Sequence, residues 1–118
     1  DGVLVELPTN ICREAGIVVP VAVTARVWSL VAPDNIDEMP CQSVEGRLWD
    51  LLWMFTCTAR ASKGMHRSTI HFKCTFLVSR TAPGGVVLTE HQTETFRATC
   101  GPGDDGEPVI TIMLPGED

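Results

Sequence analysis

The chain has 118 residues, 44% of them hydrophobic and 20% charged, with a formal net charge of −6. That length fits a single globular domain over residues 1–118, able to bury about two-thirds of its unfolded surface without a metal or disulfide staple. Ten glycines and eight prolines are too few for a disordered or collagen-like chain, no apolar run approaches the roughly 18 residues of a membrane span, and the acidity disfavours coating of nucleic acid by charge alone.

Residues 2–7 are short and rich in valine and leucine, which predicts a strand stopped by Pro8. Thr9 or Asn10 can cap a short helix through Ala15, with Gly16 as its stop. Ile17–Val23 is an apolar run interrupted by Pro20, which predicts an edge or bent strand because proline cannot donate to a ladder. Thr24 caps a second helix of about two turns, carrying Val27, Trp28 and Val31 on one side. Residues 32–42 hold two prolines and three acids and read as a surface loop.

The best-defined element is a helix from Ser43 to about Ser62. Ser43 is the predicted N-cap, and Glu45 suits the positive end of the helix dipole. Val44, Leu48, Leu51, Leu52, Phe55 and Ala59 form one apolar stripe; Trp49, Trp53 and Cys57 form a second. A helix apolar over more than half its surface calls for cover on two sides. Arg47, Asp50 and Arg60 are left for its polar face, and Gly64 ends it.

Residues 68–79 alternate, with Ile70, Phe72, Cys74, Phe76 and Val78 on one face and Thr69, His71, Lys73 and Thr75 on the other. Ala82-Pro83-Gly84-Gly85 is a turn signal, and Val86–Cys100 returns as the partner strand. Phe72 should meet Phe96 in the core, while the polar stretch 89–95 projects a hairpin tip into water. Gly101–Glu107 is a tight acidic loop. Pro108 opens a last strand, Val109–Leu114, whose apolar residues on both faces mark it as central. The fold class is therefore α+β. An antiparallel sheet, made of a three-strand C-terminal meander plus one or two N-terminal strands, packs against a long central helix and two short helices.

Charge is unevenly distributed. Residues 1–55 are net −5, residues 56–80 are net +5 with no acid, and residues 81–118 are net −6. The basic segment reads either as a helix C-terminus followed by a solvated strand face or as an anion- or partner-binding patch. The five cysteines include no C-x-x-C pair and are odd in number, so they read as reduced thiols in the cytoplasm. The chain starts at Asp1 rather than methionine, which suggests that residues precede it.

Gly46-Arg47-Leu48-Trp49-Asp50-Leu51-Leu52-Trp53 and Gly101-Pro102-Gly103-Asp104-Asp105-Gly106-Glu107-Pro108-Val109-Ile110-Thr111-Ile112-Met113-Leu114-Pro115 resemble the marks of one uncharacterised family, a domain of unknown function. Its members are small bacterial proteins often encoded on plasmids, phages and integrative elements. Asp1–Val5, Arg13–Gly16 and Pro20–Thr24 fit the same pattern, while the 33–41 loop and the 63–95 hairpin depart from it. The resemblance implies an accessory role on a mobile genetic element, including action against host defences, and implies no chemistry.

Catalytic patterns are weak. His71 and Cys74 fall on opposite strand faces, and no histidine sits in a nucleophile setting. Asp104, Asp105 and Glu107 could hold a hard cation and support a small metal-dependent enzyme, but they lack the spacing of a calcium loop and read first as a turn whose aspartates bond their own backbone. The 60–80 segment could support weak nucleic-acid binding, although Phe72, Phe76 and Phe96 lie on the inward period. The leading expectation is a non-enzymatic interaction protein of the cytoplasm, with no cofactor, no metal and no membrane contact. Its protein partner would meet the projecting hairpin (His71, Lys73, His91, Glu94), the basic segment (Arg60, Lys63, Arg67) or the acidic loop (Asp104, Asp105, Glu107). A homodimer is left open, and nucleic acid is disfavoured.

Overall fold

The computed structural model describes residues 3–39, 41–62, 68–103 and 106–117. In chain order the elements are β1 (Leu4–Glu6), α1 (Thr9–Glu14), β2 (Val21–Thr24), α2 (Ala25–Val31), a single 3₁₀ turn at Ile36–Glu38, α3 (Val44–Ala61), β3 (Thr69–Thr81), β4 (Val87–Pro102) and β5 (Pro108–Met113). The five strands form one sheet in the order β1-β2-β5-β4-β3.

The α+β class and the C-terminal meander are as the sequence predicts, but the sheet is mixed. β2 runs parallel to β5, with Val21 beside Ile110 and Val23 beside Ile112; the other pairs are antiparallel. β2 is also not an edge. Pro20 stands just before the strand, where a missing N–H breaks no ladder, and its carbonyl still accepts from the Ile110 N–H at 3.0 Å. Val21, Ala22 and Val23 are all buried, the pattern of a strand with neighbours on both sides.

Local chemistry sets the helix ends. The Ser43 hydroxyl accepts from the Gly46 N–H at 3.0 Å, and the Thr24 hydroxyl accepts from the Val27 N–H at 3.3 Å. α1 differs from expectation: its N-cap is Pro8, with no side-chain bond, and neither Thr9 nor Asn10 caps it. α3 lays Leu48, Leu51, Leu52 and Phe55 on the sheet, in one core with Val23, Phe72, Phe96 and Ile112 of the strands and Val27 of α2. Each such side chain gains roughly 1.5–3 kcal/mol from burial. Phe72 and Phe96 are direct cross-strand partners with stacked rings 5.5 Å apart, and Phe55 meets Phe72 edge-on. The second stripe of α3 is only half-buried, with Trp49 and Trp53 stacked 5.5 Å apart.

Candidate functional site

Strands β3 and β4 are far longer than the rest of the sheet. Their ladder runs from Thr69–Thr99 out to Thr81–Val87, whereas β5 accompanies β4 only from Arg97 to Pro102. A two-stranded ribbon therefore leaves the body of the molecule, which measures 53 × 29 × 28 Å. The turn is closed by the Ala82 N–H donating to the Val86 carbonyl at 2.7 Å. Gly84 and Gly85 both take positive φ there, a conformation that glycine adopts without strain. Val86, Val87 and Leu88 are exposed at the tip, at 56, 56 and 40%.

The direction of every backbone group in the ribbon follows from its register. The Cys100 N–H bonds the Ser68 carbonyl and the Ala82 N–H bonds the Val86 carbonyl, so even-numbered residues of β3 and β4 bond each other. Odd-numbered residues point their N–H and C=O groups outward. On β4, Arg97, Thr99 and Gly101 use theirs on β5. On that outer side Val87, Thr89, His91, Thr93 and Thr95 have no neighbouring strand among the described residues.

β3 has an open edge too, but Arg47 guards it. This side chain is 4% exposed and belongs to the core, not to the polar face of α3 that the sequence suggests. Its guanidinium donates to the carbonyls of Leu30 (2.7 Å), Val31 (3.2 Å) and Leu77 (2.7 Å) and to Gln42 Oε1 (2.9 Å). It also lies 4.7 Å from the centroid of the Phe76 ring. One cation thus satisfies the last carbonyls of α2 and the outward carbonyl of Leu77. Burial pulls its pKa down, and the neighbouring Cys74 and Asp50 push it back up. Spacing could have revealed this role: Arg47 falls three residues after Val44 and four before Leu51, inside the apolar stripe.

The residues expected to make contacts do not share one surface. His71, Lys73 and His91 are exposed on the face of the sheet away from α3, but His71 and His91 are six ladder positions apart, roughly 20 Å. Glu94 lies opposite Cys74 on the helix side and accepts from Gln92 Nε2. Arg60 is on the last turn of α3, 5.6 Å from the Trp53 ring centroid. Arg80, on the helix side of the ribbon, pairs with Glu90 at 2.6 Å. The described cations of the basic segment therefore point in separate directions. Glu107 is exposed, and its carbonyl closes the β4–β5 turn by accepting from the Gly103 N–H at 2.6 Å. Lys63, Arg67, Asp104 and Asp105 lie outside the described residues.

Concavities flank the sheet on both faces. One, of about 530 Å³, lies between the Gly16–Val19 segment and the C-terminal half of α3; Phe55, Ala59, Arg60 and Ile110 help to line it. Another, of about 680 Å³, lies on the opposite face around Leu4, Thr99 and Met113, where the tail is pinned. Glu117 accepts from the Thr24 hydroxyl at 2.9 Å and from the Leu114 N–H at 2.8 Å, and Arg97 donates to its carbonyl. All five cysteines are free thiols. Cys41 and Cys100 are exposed, Cys12 and Cys74 are buried, and burial beside Asp50 raises Cys74 to about 11 despite the opposing pull of Arg47. Among the described residues no group of three or more His, Cys, Asp or Glu side chains is arranged to hold a metal ion, and no helix is long and apolar enough to cross a membrane.

Residues 10–118 match a family model described as a family of unknown function, DUF6573. No curated protein and no solved structure matches the chain. The Gly46–Trp53 motif forms the first turns of α3 and supplies Arg47, Leu48, Leu51 and Leu52 to the core.

Proposed function

We propose that this chain, which belongs to the DUF6573 family, is a non-enzymatic interaction protein whose contact surface is the distal β3–β4 ribbon. The observation that carries the reading is the ribbon itself. From Val87 to Thr95 it offers a row of outward backbone donors and acceptors that no strand among the described residues covers, and three apolar side chains stand exposed at its tip. Unpaired strand edges are a common docking mode, because main-chain bonds give affinity and alternate side chains give selectivity.

The setting is part of the same proposal. The resemblance of the 46–53 and 101–115 motifs to proteins of plasmids, phages and integrative elements supports an accessory factor of a bacterial mobile element, acting in the cytoplasm and directed at host defence. Five free thiols suit a reducing compartment. Neighbouring genes of plasmid or phage type would support this setting, and a chromosomal housekeeping operon would count against it.

The contact surface is tested by placing a photo-crosslinking residue at Val87 in the producing cell, with Val18, 83% exposed, as control. The reading predicts a discrete adduct from Val87 and none from Val18. Adducts from Val18 alone, or none from Val87, would overturn it. A melting curve unmoved by Mg²⁺ or Mn²⁺ separates the reading from a metal-dependent hydrolase built on the acidic loop.

A further inference from the structure

We infer that the open edge of β4, from Val87 to Thr95, pairs antiparallel with the same edge of a second copy of this chain, in a two-fold register centred on His91. The inference rests on the ribbon being the contact surface and names its occupant.

The two edges of the ribbon are not equivalent. On β3 the outward carbonyl of Leu77 is already bonded by Arg47, so a strand approaching there would have to displace a buried guanidinium with three other acceptors. On β4 nothing comparable stands in the way among the described residues. β5 ends at Met113, and the chain turns away, with the Glu117 N–H donating to the Leu114 carbonyl at 3.1 Å. Natural edges are usually blunted by lysine, proline or a bulge. Residues 87–95 read Val-Leu-Thr-Glu-His-Gln-Thr-Glu-Thr, with none of the first two, and their pairing with β3 is unbroken. Valine and threonine at the outward-bonding positions suit a strand.

Charge selects the register. In a two-fold pairing that sets outward groups against outward groups, a centre at position 90 puts Glu90 against its own copy. A centre at 92 puts Glu90 against Glu94. Like charges directly opposite are destabilising. Centres at 89 or 93 engage only three outward residues per chain. The centre at His91 engages all five (Val87, Thr89, His91, Thr93 and Thr95). Five N–H donors from each chain then give ten backbone bonds. It sets Thr89 opposite Thr93 and Glu90 opposite Gln92, with no acid facing an acid, and gives the exposed Val87 side chain a neighbour in Thr95.

Sedimentation equilibrium from micromolar to millimolar concentration tests this, with three variants on the exposed edge. Circular dichroism at the dilute end confirms that each is folded. The wild-type chain should approach twice its mass of 12.8 kDa. Gln92→Lys meets Glu90 of the second copy twice and should tighten the dimer about tenfold, while Gln92→Glu should loosen it by a similar factor. Thr93→Pro removes an outward N–H that β3 does not use, so it should stay folded and monomeric. A wild-type chain that remains monomeric at millimolar concentration overturns the inference. So does a dimer that the two charge variants shift in the same direction. If the chain stays monomeric while Val87 crosslinks to a different protein, the second-copy occupant fails and the contact-surface reading stands.

Discussion

Arg47→Met removes a buried cation while leaving an unbranched apolar side chain of similar length against Phe76. In the native chain Arg47 donates to three backbone carbonyls and one amide oxygen, and its side chain is almost wholly enclosed. Losing it orphans the carbonyls of Leu30, Val31 and Leu77. Each buried acceptor left without a donor costs roughly 1–3 kcal/mol, and freeing the guanidinium from its own desolvation returns part of that. The net loss is about 3 kcal/mol. For a domain near 100 residues, 1 kcal/mol moves the melting point by about 4 °C, so Arg47→Met should melt roughly 12 °C lower. Arg47→Lys keeps the charge but cannot span all four acceptors, and should fall between the two. Urea and thermal denaturation followed by circular dichroism give both numbers. An Arg47→Met variant as stable as the wild type would refute the reasoning, because it would mean that the desolvation cost cancels the whole hydrogen-bond set.

Other expectations are independent of that one. The Cys74 thiol is raised to about 11 in the folded chain, so between its ordinary value of 9.0 and 11 the unfolded chain loses that proton first. Stability should therefore be insensitive to this thiol below about pH 8 and fall as pH rises through that window. Cys74→Ala should flatten the alkaline limb of a urea-midpoint titration, and an unchanged limb would contradict the burial argument. Gly16 takes φ of +92°, and a Cβ there would stand 3.2 Å from Arg60 Nη2, so Gly16→Ala should cost about 1–2 kcal/mol by equilibrium unfolding. Thr24→Ala removes both the α2 N-cap and the bond to Glu117, and should cost about 1 kcal/mol while raising amide exchange at Val27 and Leu114. Under native conditions Cys41 and Cys100 should react first with a thiol reagent, and Cys12 and Cys74 only on unfolding.

Much of the fold was legible from short-range chemistry. Ser43 and Thr24 announce their helices because a hydroxyl cap is a local event, and the 3–4 spacing of Leu48, Leu51, Leu52 and Phe55 reports the buried face. Phe72 opposite Phe96 follows from one turn and two alternating runs. What the sequence hid was non-local. The parallel pairing of β2 with β5 joins segments almost ninety residues apart, and nothing near Val21 encodes it. Pro20 misdirects because its effect depends on whether it lies inside a strand or one step before it. Charge alone points Arg47 to solvent, although its position lies within the apolar stripe; its acceptors come from α2 and β3, which no local window contains. Residue type alone points to charged and polar side chains as contacts. The proposed contact uses the backbone of β4 instead, whose outward groups are set by register and not by side-chain type.

Residue-resolved amide exchange across β4, in dilute and in concentrated solution, tests the central claim most directly. At low concentration exchange should alternate: the N–H groups of Leu88, Glu90, Gln92 and Glu94 are protected by β3, and those of Val87, Thr89, His91, Thr93 and Thr95 exchange freely. At high concentration the second set should become protected as the edge is covered. Uniform protection in dilute solution, or outward amides that stay fast at every concentration, would contradict it.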